Sequence, residues 1–245
     1  MCLNYDFVMQ KASSGHARPA PSEQSEAIED YVKAIYAIGC RNGGEPVGTS
    51  ELAHRLGVAP ASTTAMLKRL DKVGLVRHEP YRGVTLTTAG DRLAIEVIRH
   101  HRLLESYLSE ALGMPWDKVH QEAEVLEHYI SEELEALIAA KLGDPSHDPH
   151  GDPIPGPDLA APDEEGIPLR EAPEGSTVIF TRVSDSDPSM LRHLSERGIL
   201  PGAELAVTGR QPFGGPLLVE IDGTEHALGD ELVRRMRVTL KGKKR

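Results

Sequence analysis

Apolar residues recur at three- and four-residue steps from Ser25 onward. Ile28, Tyr31, Val32, Ile35, Tyr36 and Ile38 form one stripe, which predicts an amphipathic helix ended by Gly39, Asn42, Gly43 and Gly44. Thr49-Ser50-Glu51-Leu52-Ala53 opens a short second helix, with a hydroxyl as its cap and Gly57 as its stop. After a three-residue turn a third helix is expected over about Ala61–Val73. Two short helices around a tight glycine-containing turn make a helix-turn-helix candidate. Gly74-Leu75-Val76 then enters an extended stretch, Pro80-Tyr81-Arg82-Gly83 supplies a turn, and Val84-Thr85-Leu86-Thr87 returns. A hairpin in that place is the wing of a winged helix.

Further on, 90–112 predicts a long amphipathic helix stopped at Gly113, and 116–142 is helical with a break near Ser131 and a stop at Gly143. Residues 143–165 are rich in Pro, Asp and Glu and are expected to form an exposed linker. From about Gly166 the pattern becomes short β runs: Val178-Ile179-Phe180, Leu205-Ala206-Val207, Leu217-Leu218-Val219-Glu220-Ile221 and Val238-Thr239-Leu240. One helical interruption falls over about Pro188–Arg197, and the whole suggests a small barrel. The fold class is therefore mainly α with a small β domain. Its divisions are a loose tail (1–24), a winged helix-turn-helix (25–89), a helical unit (90–142), the linker (143–165), the barrel (166–240) and a frayed basic tail (241–245).

Composition narrows the function. Aromatics are only 4%, so aliphatic side chains must build the cores. No apolar run approaches the ~20 residues of a spanning helix, and no secretory signal is evident. Cys2 and Cys40 are the only cysteines, which excludes a disulfide framework and a cysteine-rich zinc site and suits a reducing cytoplasm. The net charge of −11 argues against nucleic acid until it is located. The acidic surplus lies within 91–174, whereas 60–82 carry Lys68, Arg69, Lys72, Arg77 and Arg82 against Asp71 and Glu79.

The segment His120-Gln-Glu-Ala-Glu124-Val-Leu-Glu127-His128 places two imidazoles and two carboxylates on one helical stripe. His101 and Glu105 share a face of the preceding helix, and helix one adds Glu29 and Asp30. Helix faces rich in His and carboxylate are how bundles build divalent-metal sites. Taken singly, each of these residues reads more readily as part of an acidic solvent face, as Glu132, Glu133 and Glu135 are expected to be; taken as a set beside a winged helix they point to metal binding. His54, His78, His147, His150, His193 and His226 show no comparable grouping and are assigned to surface or packing.

This order of elements resembles the diphtheria toxin repressor family of dimeric, metal-dependent transcriptional repressors. The resemblance runs from about Ser25 to Leu240. It is most specific in Glu29-Asp30-Tyr31, Ala123-Glu124-Val125-Leu126-Glu127-His128 and Gly151-Asp152-Pro153-Ile154-Pro155-Gly156. It implies an SH3-like barrel, a dimerisation role for 90–142, and a primary metal site of Asp30, Glu124, Glu127 and His128 joining helix one to the later helix. The iron-responsive branch has a thioether and a thiol where this chain has Asp30 and Glu124, so the resemblance points to the manganese-responsive branch. An oxygen-rich shell suits Mn2+ on general grounds. Paired-metal manganese regulators carry a Glu three residues after the Asp; Lys33 stands there, and its charge opposes a second adjacent cation. A second ion is expected instead at an ancillary site of His101, Glu105 and His120, completed from the barrel by Asp185, with Asp187 as the alternative.

The third helix begins with Pro60, Ala61, Ser62, Thr63, Thr64 and Ala65, the end that meets base edges in this motif. With no Arg, Asn or Gln there for bidentate base contacts, Ala61 and Ala65 can touch thymine methyls while Ser62 and Thr64 reach phosphates. Thr49, Ser50, Lys68, Tyr81 and Arg82 are the expected backbone contacts, and sequence preference should come largely from DNA shape. A metal would pin the winged helices at the spacing a dimer needs, and without it repulsion among Asp30, Glu124 and Glu127 should loosen the hinge. The expected function is a cytoplasmic, homodimeric, Mn2+-dependent repressor of metal-homeostasis genes. Its partner is double-stranded operator DNA, with no membrane, no small organic substrate and no enzymatic activity. Fe2+ is the alternative cofactor, with Zn2+, Co2+ or Cd2+ as in vitro substitutes. A metalloenzyme using the His/Glu cluster and a metal-independent DNA-binding protein are the competing readings.

Overall fold

The computed structural model describes residues 23–160 and 166–241. The expected tails therefore lie outside the described residues apart from Glu23, Gln24 and Lys241, as do linker residues 161–165. Helix α1 (Glu23–Arg41) continues through Gly39, because its apolar stripe stays buried to the last turn. Helices α2 (Thr49–Leu56) and α3 (Pro60–Lys72) follow, then the antiparallel strands β1 (Val76–Glu79) and β2 (Gly83–Leu86), with Val76 opposite Leu86. Helix α2 ends at Gly57 in the left-handed conformation, as the glycine predicts, but its N-cap is Gly48 and Thr49 is already helical, so no hydroxyl caps it. Tyr31, Ile35, Ile38, Leu52, Leu67, Leu70, Val76 and Val84 close one core beneath these elements.

The second unit packs α4 (Thr88–Ser106), α5 (Val119–Leu126) and α6 (Glu132–Leu142) around Leu103, Leu104, Ala123, Ile130 and Ile138. Helix α4 runs on as a π-helical turn over Tyr107–Ala111 before stopping at Gly113. The break expected near Ser131 is real: its hydroxyl accepts the Leu134 amide and starts α6. The last unit is an antiparallel sheet of order β3-β8-β4-β5-β6-β7 around its own aliphatic core. Its elements are β3 (Ile167–Pro168), β4 (Thr177–Val183), α7 (Pro188–Ser195), β5 (Glu204–Arg210), β6 (Leu217–Ile221), β7 (Thr224–Leu228), α8 (Asp230–Arg235) and β8 (Met236–Leu240). Strands β3 and β7 and helix α8 carry weak periodicity of their own and exist through their neighbours. Lys241 is tied to the sheet by its amide, which donates to Thr177 O at 3.0 Å, so the expected fraying does not begin there.

The expectation of an exposed linker is overturned for its described part. Asp148, His150, Asp152 and Ile154 are buried. The segment is a strap held by its own carbonyls: Arg102 Nη1 donates to Pro153 O and Arg99 Nη1 to Pro155 O, both at 2.5 Å, while Val183 of β4 donates to His150 O at 3.0 Å. Proline there removes donors that would otherwise be buried without partners. Gly151 is where the strap meets the barrel: at φ +88°, a Cβ would stand 1.8 Å from Thr181 O. Gly151→Ala is accordingly expected to cost about 1–3 kcal/mol. The change is readable in denaturant unfolding followed by Trp116, which packs against the barrel core and stacks on His150.

Candidate metal centre

Helix α1 brings Asp30 toward the turn that ends α5. His128 Nε2 lies 3.2 Å from Asp30 Oδ1 and 3.9 Å from Glu127 Oε1, and the three donors fall within one ion's span. The other nitrogen of His128 is held by buried Glu29, Nδ1 to Oε2 at 2.7 Å. That contact turns the free nitrogen toward Asp30, as a carboxylate behind a ligating imidazole does. Glu29 was visible on helix one, but its orienting role was not. Glu124 does not join this group. It faces Lys33, whose Nζ lies 2.7 Å from Glu124 Oε1, 2.8 Å from each oxygen of Glu127 and 3.3 Å from His101 Nδ1. The repulsion expected among Asp30, Glu124 and Glu127 is therefore compensated, because an ammonium stands among these groups.

A second cluster joins the helices to the barrel. Glu105 Oε1 is 3.0 Å from His101 Nε2 and 3.2 Å from His120 Nδ1, and His120 Nδ1 is 3.0 Å from Asp185 Oδ2 of the segment after β4. These four residues again present donors within one ion's span. Asp187 instead caps α7 through Ser189, because the turn after β4 sends it away. A third set, Glu105, Asp148 and His150, was missed: His150 is fully buried rather than on the surface and lies beside two carboxylates as well as packing on Trp116. Its only sequence signal is the run Asp148-Pro-His150-Gly-Asp152, which looks like turn chemistry.

The donor chemistry fits a divalent cation. His150 Nε2 contacts Trp116 O at 2.7 Å, so the ring donates there and Nδ1 faces Glu105 Oε2 at 3.6 Å. Neither of those two buried atoms has a hydrogen-bond partner among the described residues. Two lone pairs facing each other away from water require a proton or a cation between them. Glu135, expected on a solvent face, is also buried, accepting from Arg99 at 2.5 Å and facing His100 at 3.0 Å. It ties α6 to α4.

Without metal the imidazoles hold protons. Burial disfavours the charged ring of His120, but its bonds to Asp185 and Glu105 outweigh that and hold its pKa at about 10. Burial likewise opposes His128, which Asp30 and Glu29 raise to about 10, and His101, which Glu105 raises to about 9. For Lys33 burial is outweighed by Glu127 and Glu124, so its pKa lies above the ordinary value.

On the DNA side, Ser50, Pro60, Ala61, Ser62, Ala65, Lys68, Tyr81 and Arg82 are exposed, while Thr49 and Thr64 are half-buried. The Thr64 hydroxyl donates back to Pro60 O at 2.9 Å, and Arg82 pairs with Glu79 at 3.3 Å at the wing tip.

Three family profiles match in series. They are the iron dependent repressor N-terminal DNA binding domain over 23–84, the iron dependent repressor metal binding and dimerisation domain over 87–156, and the FeoA domain over 167–240. The iron-dependent repressor IdeR of Mycobacterium tuberculosis is 32% identical over 230 residues, 89% of this chain and 98% of the relative. The chain belongs to the iron-dependent repressor family. The diphtheria toxin repressor of Corynebacterium glutamicum is 30% identical over 87% of this repressor and 96% of its own length. Among solved structures, a manganese-dependent transcriptional repressor in complex with manganese superposes with a TM-score of 0.79 at 40% identity, covering 87% of this chain and all of that one. ScaR with bound Zn2+ gives 0.73 at 30% identity, covering 86% and 98%. Family membership makes it a metal-dependent, DNA-binding transcriptional repressor. Among the described residues no helix is long and apolar enough to cross a membrane.

A divalent metal taken up by these groups would displace their protons, so apparent metal affinity should climb between pH 6.5 and 8.5, by about tenfold per unit for each proton released. Stability of the metal-free chain should run the other way. The folded pKa values exceed the ordinary 6.5, so that contribution is complete below about pH 6.5 and is lost as pH rises through 9–10. Isothermal titration and metal-free melting over this pH range check both signs.

Proposed function

We propose that this protein is a cytoplasmic, homodimeric repressor that binds operator DNA when Mn2+ is abundant and controls metal-homeostasis genes. The observation that carries the reading is the convergence of Asp30, from the DNA-binding unit, with Glu127 and His128, from the helical unit, on one point. Those three donors would hold the primary ion, with Glu124 beside them. Carboxylate oxygens and one imidazole, with no thiolate or thioether, favour Mn2+ over Fe2+, while Zn2+, Co2+ and Cd2+ would bind in vitro. Bound metal supplies a cross-link between the two units.

The residues do the rest. Glu29 orients His128 and Asp30 commits α1 to the hinge. The winged helix is thereby held at one angle to the helices that pair the protomers. Two α3 helices must sit about 34 Å apart to enter successive major grooves, so a fixed hinge raises the competent fraction. A second ion would be held around Glu105 by His101, His120 and Asp185 on one side and by His150 and Asp148 on the other, tying the barrel into the same assembly. The DNA contacts remain those named at the start of α3, at Thr49, Ser50 and Lys68, and at the wing tip.

A second copy of the chain is the partner that suits the apolar groove lined by Leu104, Tyr107, Leu112, Tyr129, Leu134 and Leu137, a cavity of about 500 Å³. Leu112 is 62% and Leu137 55% exposed in one chain, and the groove lies within the span of the dimerisation profile. Leu137→Asp is expected to yield a folded monomer at micromolar concentration by analytical ultracentrifugation, with operator affinity lost.

The direct test is operator binding at constant salt with and without Mn2+. Wild type should bind at least tenfold tighter with metal, and Glu127→Ala or His128→Ala should remove that difference while the dimer stays folded. Normal metal dependence in either variant would sink the site assignment.

A further inference from the structure

His101 Nδ1, Glu124 and Glu127 form a donor set within one ion's span, separate from Asp30 and His128 but sharing Glu127 with them. A side chain already fills it. Lys33 Nζ lies 2.7 Å from Glu124 and 2.8 Å from both Glu127 oxygens, so a group with three protons meets three carboxylate oxygens, while His101 Nδ1, 3.3 Å from the ammonium, lies 2.5 Å from Glu127 Oε2. Glu127 is fully buried and 18% of the Lys33 side chain is exposed, so water cannot readily take over the bonds between those two, whereas Glu124 is 42% exposed. Lys33 stands one helical turn after Asp30, on the same face of α1. The ammonium and the ion expected beside Asp30 are thus neighbours along one helix and lean on the same carboxylate.

We propose that Lys33 is a tethered cation occupying the position between His101, Glu124 and Glu127, so that the α1–α5 hinge accepts one divalent ion and that ion competes with the ammonium for Glu127. The inference rests on the metal-responsive reading and deepens it. A divalent ion placed between His101, Glu124 and Glu127 would have to expel a positive charge that cannot leave the chain. A divalent ion beside Asp30 instead draws on a carboxylate that is already neutralised, which weakens its hold and raises the metal concentration at which the repressor responds. Lys33 also supplies a reason for the metal-free hinge to stay assembled: the ammonium draws α5 toward α1 where bare carboxylates would repel.

The experiment is Mn2+ binding to the full-length chain by equilibrium dialysis, comparing wild type with Lys33→Gln, Lys33→Glu and Lys33→Arg. Lys33→Gln and Lys33→Glu are expected to bind one more Mn2+ per protomer than wild type and to reach half-saturation of the hinge at about tenfold lower Mn2+. Lys33→Arg, which keeps the charge, should keep the wild-type count. An unchanged count in folded Lys33→Gln and Lys33→Glu would overturn the proposal. Anomalous scattering from Mn2+-loaded wild-type crystals gives an answer that does not depend on any variant folding. Lys33 Nζ between His101, Glu124 and Glu127 supports the proposal, and a manganese peak there overturns it. Failure of wild type to bind any Mn2+ would instead defeat the metal-responsive reading itself.

Discussion

The hinge between the DNA-binding and helical units is organised around the cost of keeping Glu127 out of water. A fully buried carboxylate must be neutralised by what surrounds it, and its neighbours are Lys33 from α1, His101 from α4 and His128 from the turn after α5. No two of those partners come from the same helix. Side chains from α1, α4 and the turn after α5 meet at that charge, and it is one of the points at which the DNA-binding unit is coupled to the helical unit.

The same logic extends to the barrel through Glu105. That buried side chain faces His101 and His120 with one oxygen and His150 with the other, and Asp185 reaches His120 from the barrel side. Arg99 and Arg102 hold the strap by its carbonyls, and the strap in turn delivers His150 and receives the barrel at Gly151. Two buried acids, Glu127 and Glu105, with His101 touching both, thus connect all three units.

Much of this was legible in the chain. Strong periodicity located α1, α3, α4 and the main strands, and glycines placed the ends at Gly57, Gly113 and Gly143, because left-handed geometry there is glycine's. Elements with little periodicity of their own, β3, β7 and α8, were illegible because their reason for forming lies across the sheet. The proline-rich stretch misled for a physical cause: proline and acidic residues look solvated in sequence, yet a segment whose carbonyls are taken by arginines of α4 can be packed. Glu135 misled in the same way, since only Arg99 and His100 on another helix make its burial tolerable.

The sequence by itself determined the chemistry: which residues can ligate, the absence of thiol donors among them, and the spacing that puts His101 with Glu105 and His120 with Glu124 on shared helix faces. Those are local properties, set by residue type and helical period. Tertiary structure alone decided the partnerships. It separated Glu124 from Asp30, put Lys33 between the carboxylates, and brought His150 across from a strap that looked unstructured. Burial and charge pairing depend on residues far apart in the chain, as Lys33 and Glu127 are, and no pattern along one helix records what the next will press against it.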